Sequence, residues 1–366
     1  MKLSIGIVGL PNVGKSTLFN ALTKKSVPAE NYPFCTIDPS VGVVPVPDER
    51  LGKLTELSKS AKTIPAVIEF VDIAGLVKGA AEGEGLGNKF LSHIRETNAI
   101  AEMVRIFEDD KVIHVEGGID PLRDIGIINA ELILADLDTV TKRIANINKD
   151  VKRGDKVAVA EEAVLTKVKA LLEAERLVSS EKFAPEDKVF IKPLGLLTDK
   201  FFLYVLNKKA GSRNLDELND ERYKNLLSFI NKNGAGYVLV DAKIEDELKD
   251  FEGEEKETFR KELSAGEDDG INNLIRESYK LLGLETFFTT GEDETRAWTI
   301  KAGSTAPEAG MAIHTDFKDK FIRAEVIHCD DLIREGSYAA ARPKGLVRTE
   351  GKEYIVKDGD VIEFRI

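Results

Sequence analysis

The 366-residue sequence predicts an α/β fold: a mostly parallel sheet, interrupted by an inserted antiparallel helical hairpin and followed by a smaller mixed sheet. Three observations indicate this class. Short apolar runs alternate with helical stretches, one long stretch has apolar residues at spacings of three and four, and the C-terminal part is dense in short strand-like runs. The length exceeds what one core supports, so we expect two or three domains.

The alternating elements come first along the chain. A helix is predicted over Lys15–Thr23, with Leu18, Phe19 and Leu22 on one side. The strand-like runs are Ser4–Gly9, Gly42–Val46, Ala66–Asp72, Val112–Val115, Leu203–Asn207 and Tyr237–Val240. Ligands of parallel sheets bind at the carboxyl ends of the strands, so residues just after these runs are candidates for function.

The helical hairpin is predicted from a narrow apolar seam. Its members are Ile133, Leu137, Val140, Ile144, Ile147 and Val151 before a polar turn, and Val164, Val168 and Leu171 after it. The tip, Lys149–Lys156, has four basic and two acidic residues. Two interpretations stay open: an ordinary polar tip, or a projecting contact with an anionic partner.

The C-terminal unit is expected to be a small mixed sheet packed on a helix, starting near Gly283. Its strand-like runs are Ala297–Ile300, Ile322–Val326, Tyr354–Val356 and Val361–Ile366. The predicted domains are therefore 1–122 with 199–282, the inserted hairpin 123–198, and the C-terminal domain 283–366.

Composition excludes several classes of protein. The net charge of −12 argues against a basic nucleic-acid coat, so no DNA partner is expected and an RNA contact needs a local patch. Cys35 and Cys329 cannot build a disulfide framework, and no apolar run is long enough to span a membrane, which together favour a cytoplasmic protein. The stretch 245–269 has 12 acidic and 4 basic residues, which fits a solvated helical face or a docking surface for a basic partner.

The segment Gly9-Leu10-Pro11-Asn12-Val13-Gly14-Lys15-Ser16 matches the phosphate-binding loop pattern G-x-x-x-x-G-K-[ST]. Its two glycines let the backbone N–H groups turn toward phosphate oxygens, and the helix N-terminus that follows favours an anion. Lys15 is expected to bridge the outer phosphates and to face solvent before nucleotide binds. Ser16 is expected to hold Mg²⁺. The nucleotide-binding residues expected here are Gly9, Asn12, Val13, Gly14, Lys15, Ser16 and Thr17.

A second element supports a triphosphate site. The strand-like run Phe70–Asp72 ends in an acid that can hold Mg²⁺, and Gly75 follows three residues later with an N–H for the terminal phosphate. Thr36 lies in a loop where nucleotide switches close on Mg²⁺. The expected metal ligands are therefore Ser16, Thr36 and Asp72.

Six long segments, in fixed order from the first strand to the last residue, resemble those of one family. They are GLPNVGKS, NYPFCTIDP, FVDIAGLVKGAAEGEGLGNKFLSHIRE, RAWTIKAGSTAPEAG, HTDFKDKFIRAEVI and EGKEYIVKDGDVIEFRI. They make the chain similar to the YchF group of Obg-like ATPases, which are translation-factor-class P-loop proteins. The resemblance implies a P-loop NTPase domain, a coiled-coil insert, and a C-terminal TGS domain with a β-grasp (ubiquitin-like) sheet. It also implies association with the large ribosomal subunit and RNA.

Several positions bear on catalysis. Leu76 stands where Ras-like GTPases have the glutamine that orients the attacking water, so hydrolysis is expected to be slow or to use another group. His93 and His114 are nearby candidates, and the resemblance favours His114, with Lys15 as the second catalytic residue. A structural role for His114 is the alternative. In related potassium-activated proteins an asparagine at the position of Asn12 helps to bind K⁺, whereas the alternative is that Asn12 only supports the turn.

The base-recognition segment departs from the GTPase pattern Asn-Lys-x-Asp. Asn207 and Lys208 match, but Ala210 replaces the aspartate, and the resembling family usually has glutamate there. A later segment, Asp241-Ala242-Lys243, follows a strand where GTPases place Ser-Ala-Lys. A methyl group cannot pair with guanine, so ATP is expected over GTP. We also expect Ala210→Asp to shift the preference toward GTP.

The expected function is a slow, Mg²⁺-dependent nucleoside triphosphatase that acts as a ribosome-associated switch, with K⁺ as a further cofactor. One alternative is a nucleotide-regulated module that binds ribosomes or RNA with incidental turnover, and another is a GTPase. No membrane partner is expected.

Overall fold

The computed structural model describes residues 3–24, 26, 40–73, 86–109, 118–248, 250–251, 255, 258–259 and 270–366. The strands are β1 (Ser4–Val8), β2 (Val41–Pro45), β3 (Thr63–Ile64), β4 (Val67–Asp72), β5 (Ala99–Arg105), β6 (Phe107–Glu108), β7 (Phe201–Asn207), β8 (Arg213–Asn214), β9 (Gly236–Val240), β10 (Leu284–Thr290), β11 (Thr295–Lys301), β12 (Arg323–His328), β13 (Arg348–Glu350) and β14 (Asp360–Arg365). The α-helices are α1 (Lys15–Lys24), α2 (Glu49–Ser58), α3 (Leu86–Glu96), α4 (Pro121–Lys152), α5 (Lys156–Glu173), α6 (Pro185–Ile191), α7 (Glu221–Lys232), α8 (Ala242–Glu247), α9 (Gly270–Leu281), α10 (Ala306–Gly310), α11 (Asp316–Asp319), α12 (Cys329–Glu335) and α13 (Tyr338–Ala341).

The chain packs as two compact units. The first is Met1–Gly42 with Glu69–Leu274, and the second is Val43–Ile68 with Ile275–Ile366. The three domain ranges drawn from the sequence stay a prediction, and the packing differs from them in three respects. The hairpin residues 123–198 group with the first unit, and residues 275–282 group with the C-terminal residues. Residues 43–68, which the sequence assigned to the nucleotide-binding domain, group with the C-terminal residues.

The first unit is built on parallel strands in the order β4-β1-β5-β7-β9. All residues of β1 and β5 are buried, as expected for central strands that are covered on both faces. This confirms the predicted α/β class. The sequence interpretation missed β5, however, and the strand expected at Val112–Val115 lies outside the described residues.

The predicted hairpin is confirmed as the pair α4 and α5. Each helix starts at an aspartate N-cap: Asp120 accepts a hydrogen bond from Arg123 N–H at 3.2 Å, and Asp155 accepts one from Ala158 N–H at 2.8 Å. The seam is apolar, with Val140, Ile147, Val164, Leu165 and Val168 among its buried members. Apolar burial along two long helices explains why the spacing of three and four was a reliable signal.

A buried carboxylate fixes the hairpin to the first unit. Asp136 on α4 is fully buried, and its oxygens accept hydrogen bonds from the N–H groups of Leu197 (3.0 Å) and Thr198 (2.7 Å) just before β7. Burial raises the pKa of Asp136, and the bonds from Thr198 and Leu197 oppose that shift. The base of the hairpin is therefore held to the chain that leads back into the parallel sheet.

The second unit is a mixed sheet with the order β13-β12-β14-β10-β11-β3. β10 and β11 form an antiparallel hairpin, β10 runs parallel to β14, and β12 pairs antiparallel with β14. A central parallel pair flanked by antiparallel strands is the arrangement of a β-grasp sheet, in agreement with the expected fold. Buried Leu51 and Leu54 of α2 pack with Phe288, Ile327 and Val361 of the sheet, so the segment 43–68 supplies a helix to this core.

Two sequence expectations for the second unit need correction. Tyr354–Val356 does not form a strand: Ile355 makes only an isolated bridge with Thr305. The strand β10 was not expected, although it lies at the centre of the sheet.

Among the helices that the structure describes, none has the length and apolarity needed to cross a membrane.

Candidate nucleotide-binding site

The phosphate loop joins the end of β1 to the start of α1, and its glycines are required by geometry. Gly9 has φ +146° and Gly14 has φ +106°, which L-residues rarely adopt. A Cβ at Gly9 would lie 2.5 Å from the carbonyl oxygen of Met103, and one at Gly14 would lie 2.6 Å from Asn207 Nδ2. No other residue fits either position without displacing a neighbouring strand or the base-recognition segment.

The middle of the loop alternates between exposed and buried residues. Asn12 is exposed and has φ +64°, a left-handed conformation that asparagine tolerates better than most residues. Val13 is buried with 2% of its surface exposed. Asn12 therefore lies on the accessible side of the loop, while Val13 anchors the loop to the core.

Lys15 is buried, which contradicts the expectation that it faces solvent. Its Nζ donates a hydrogen bond to the carbonyl oxygen of Leu10 at 2.6 Å, within the same loop. Burial lowers the pKa of Lys15 to about 8, and the nearby Asp72 carboxylate opposes that shift. The ammonium group is thus poorly solvated and held inside the loop, where an anionic ligand would relieve its unfavourable burial.

Two of the three metal-binding candidates, Ser16 and Asp72, lie in the described part of the chain, and the Asp72 carboxylate is near the Lys15 ammonium group. Ser16 is exposed at the first turn of α1, Thr17 is half-buried, and Asp72 ends β4 with 6% of its surface exposed. Asp72 is in register with Ile7 of β1, so both strands end beside the loop. A hydroxyl and a carboxylate are hard oxygen donors, and this donor set fits Mg²⁺.

Three of the expected site residues lie outside the described residues: Thr36, Gly75 and His114. Leu76, on which the expectation of slow hydrolysis rests, lies outside them as well. The other histidine considered, His93, lies on α3.

The expected base end of the candidate site consists of two loops, which Asn207 connects to the phosphate loop. Its Nδ2 donates to the carbonyl oxygen of Val13 at 2.7 Å, and its Oδ1 accepts from Ala242 N–H at 3.1 Å. Asn207 is 4% exposed. The side chain of one residue therefore holds the ends of β1, β7 and β9 together.

Asp241 connects the two base-end loops by a second route. Its Oδ2 accepts a hydrogen bond from Ala210 N–H at 2.6 Å, and its Oδ1 accepts from Lys243 N–H (3.1 Å) and Ile244 N–H (3.0 Å). Lys243 itself is exposed and pairs with Glu247 (Nζ–Oε1 3.5 Å). The structure therefore brings Ala210, Asp241 and Ala242 together beside Asn207.

Lys208 is held by acidic neighbours. Its N–H donates to the carbonyl oxygen of Val240 at 2.9 Å, and its Nζ lies 3.2 Å from Glu217 Oε1 and 3.6 Å from Asp216 Oδ2. Desolvation lowers and these two carboxylates raise the pKa of Lys208, with a net upward shift. The lysine keeps its charge in this position.

Sequence reasoning missed Asn214, which shapes the loop after β7. Asn214 is 1% exposed, accepts a hydrogen bond from Lys209 N–H at 2.9 Å, and donates to the carbonyl oxygen of Lys209 at 3.0 Å. Lys209 Nζ in turn pairs with Asp109 beyond β5. An asparagine in a polar loop gives no distinctive sequence signal, so only the fold identifies this role.

Two family models match the chain. The model described as a 50S ribosome-binding GTPase (MMR_HSR1) matches residues 4–139. The YchF-GTPase_C model, described as a protein of unknown function, matches residues 284–366.

Full-length relatives are similar throughout. The protein called "Ribosome-binding ATPase YchF" from Bacillus subtilis (strain 168) is 52% identical over 365 residues, which cover 100% of this chain and 99% of the relative. The protein of the same name from Escherichia coli O157:H7 is 49% identical with the same coverage. The one from Mycoplasma genitalium is 44% identical over 99% of each chain.

A solved structure has a similar fold over the whole chain. The Schizosaccharomyces pombe YchF GTPase matches with a TM-score of 0.88 and 38% identity, covering 100% of this chain and 98% of that one. Identity of this level over the whole length, together with the P-loop geometry at the end of β1, leads to one conclusion: the chain belongs to the YchF family.

Proposed function

We propose that this protein is a cytoplasmic, Mg²⁺-dependent P-loop nucleoside triphosphatase that prefers ATP, hydrolyses it slowly and acts as a ribosome-associated switch. The observation that carries the proposal is the meeting of the Gly9–Ser16 loop, Asp72 and Asn207 at the carboxyl ends of β1, β4 and β7. The relatives' name, ribosome-binding ATPase, supports both the reaction and the partner.

Lys15 is the residue expected to change partner when nucleotide binds. Its ammonium group would leave the Leu10 carbonyl oxygen for phosphate oxygens, which are stronger acceptors because they are charged. Ser16 and Asp72, with Thr36, would hold Mg²⁺, which neutralises phosphate charge and orients the terminal phosphate. Gly9, Val13, Gly14, Thr17 and Gly75 complete the proposed phosphate contacts.

Slow hydrolysis is proposed because Leu76 cannot hold a water molecule by hydrogen bonding. His114 remains the candidate catalytic residue in its place. K⁺ beside Asn12 is proposed to stabilise charge that develops on the phosphates, which is an electrostatic effect of the kind that arginine fingers provide.

Phosphate release tests the proposal against its alternatives. The purified protein is incubated with ATP or GTP, with and without Mg²⁺ and with and without ribosomes. We expect Mg²⁺-dependent ATP turnover that exceeds GTP turnover and changes when ribosomes are added. Nucleotide binding without ribosome-dependent turnover would favour a binding module with incidental hydrolysis, and faster GTP turnover would favour a GTPase.

The ribosome contact is proposed to include the tip of the α4–α5 hairpin. Lys152, Arg153 and Lys156 are exposed there, at the turn between two long helices of an acidic chain. Reversal of all three to glutamate should weaken cosedimentation with ribosomes, and binding of the wild type should fall as salt rises, because phosphate contacts release counterions.

The control for this test reverses the exposed Lys167, Lys182 and Lys232, which changes the net charge equally outside the tip. Cosedimentation that survives the tip reversal would place the contact elsewhere, with the C-terminal unit as the next candidate.

A further inference from the structure

We propose that Asp241 supplies the carboxylate that contacts the amino group of the nucleotide base, in place of the acidic side chain that residue 210 lacks. The inference rests on the proposed function, and it names the residue that sets base choice in that same site.

The position of Asp241 is the first argument. Asp241 follows β9 and Ala210 follows β7, which are neighbouring parallel strands. The Ala210 N–H donates to Asp241 Oδ2 at 2.6 Å, so the carboxylate lies one hydrogen bond from the backbone of residue 210. Asn207 holds both loops to the phosphate loop through Val13 and Ala242. A nucleotide whose phosphates lie in that loop would therefore have its base near this carboxylate.

Within the part of the chain that the structure describes, the hydrogen bonds of the Asp241 carboxylate leave one acceptor site. A carboxylate has about four acceptor sites on its two oxygens. Three are filled: Oδ1 accepts from Lys243 N–H and Ile244 N–H, and Oδ2 accepts from Ala210 N–H. The remaining site is on Oδ2, and Asp241 is half-buried, so a ligand can reach it.

One free acceptor cannot make the paired contact that a fully free aspartate makes with guanine. The exocyclic amine of adenine can donate one hydrogen bond to it. Guanine presents N1–H and the exocyclic amine side by side, and an aspartate pairs with both only if both of its oxygens are free. Asp241 therefore offers either base one hydrogen bond and withholds from guanine the second bond that favours GTP in GTPases, in keeping with the proposed preference for ATP.

The same placement changes what Ala210→Asp should do. The new carboxylate would lie beside that of Asp241, and like charges at short range oppose the ionisation of both. We expect the single change to shift the ATP-to-GTP affinity ratio by less than about threefold. Adding Asp241→Ser removes the competing charge and keeps the helix cap, because serine caps a helix about as well as aspartate.

The experiment is a double-mutant cycle on the full-length chain with Mg²⁺ present. Dissociation constants for ATP and for GTP are measured for the wild type, Ala210→Asp, Asp241→Ser and the double variant. Asp241→Asn, which keeps the size and the cap but removes the charge, guards against a folding defect in the serine variant. Asp155→Ser makes the same exchange at the N-cap of α5 as a matched control.

We expect Asp241→Ser to weaken ATP binding about tenfold, the value typical of a hydrogen bond to a charged group. Asp241→Asn should weaken it less, and Asp155→Ser should leave it unchanged. The double variant should favour GTP by more than about tenfold over the single Ala210→Asp variant.

ATP affinity unchanged in both Asp241 variants, or a ratio that moves as far in the single variant as in the double, would overturn the inference while leaving the proposed function intact. A wild type that binds neither nucleotide would overturn the proposed function itself.

Discussion

At the phosphate loop of the candidate site, backbone conformation fixes the geometry, whereas at the proposed base end side chains from separate strands fix it. The phosphate loop needs glycine at positions 9 and 14 because of positive φ angles and contacts under 3 Å. The base end depends on Asn207 and Asp241, which lie 34 positions apart and meet only because β7 and β9 pair. A loop fixed by its backbone conformation tolerates little substitution, whereas a site made by side chains allows a carboxylate to come from another strand, as we propose for Asp241.

Loss of the Lys15 ammonium group should cause the largest decrease in nucleotide affinity. The decrease should be the same for ATP and for GTP. Lys15→Ala should weaken ATP and GTP alike by about 1.5–3 kcal/mol, or roughly 10- to 150-fold, because a charge-assisted phosphate contact is lost. The fold should persist, since the variant also avoids burying an ammonium group. Titration with each nucleotide measures the effect.

Lys24→Ala is the control on the same helix, because Lys24 is 55% exposed and pairs only on the surface, with Asp250. Unchanged ATP affinity in Lys15→Ala would show that the phosphate loop does not bind the nucleotide.

Asn207→Ala should disturb the phosphate loop and the proposed base end together, because Asn207 contacts both. It leaves the carbonyl oxygen of Val13 and the N–H of Ala242 without the Asn207 amide, which costs about 1–3 kcal/mol of folding free energy when such groups are buried. Urea unfolding should show this loss, and both nucleotides should bind more weakly by similar factors.

Asn233→Ala, which removes only an amide contact at the end of α7, should affect neither nucleotide. A loss confined to one nucleotide would mean that Asn207 serves the base end alone.

The pH dependence of ATP binding should show whether Lys15 contacts the phosphates. The pKa of Lys15 is about 8 without ligand, and bound phosphate favours the charged form, so the group is mostly protonated at pH 7 and mostly neutral at pH 9. Affinity for ATP should therefore fall about tenfold between these values. Lys15→Arg, which stays charged, should show a flat profile over this range. A wild type with the same flat profile would argue that Lys15 does not meet the phosphates.

The smallest expected effect is that of the monovalent cation. Hydrolysis should run faster in K⁺ than in Na⁺ at matched ionic strength, by less than about tenfold, and Asn12→Ala should abolish the difference. Because Asn12 has φ +64°, Asn12→Gly is a second variant that removes the amide without backbone strain. Equal hydrolysis rates in K⁺ and in Na⁺ would contradict a role for Asn12 in binding K⁺ and would leave it only the role of supporting the turn.

The strands and helices differ in how far sequence predicted them. The hairpin was predictable because its seam repeats over many turns of two helices. Strand β5 was missed because Glu102 interrupts its apolar run, yet Glu102 is 1% exposed in the structure. Burial, followed by the nearby Asp124, raises the pKa of Glu102 well above its ordinary value, so the fold disfavours the charged form of this acid inside the strand.

The sequence by itself determined the phosphate loop, the metal-binding candidates Ser16 and Asp72, and the α/β class, because each follows from local spacing and backbone conformation. Only the tertiary structure decided that Lys15 is buried, that residues 43–68 join the C-terminal core, and that Asp241 lies beside Ala210. These three depend on contacts between residues far apart in the chain, and such contacts are set by strand pairing and core packing rather than by any local pattern.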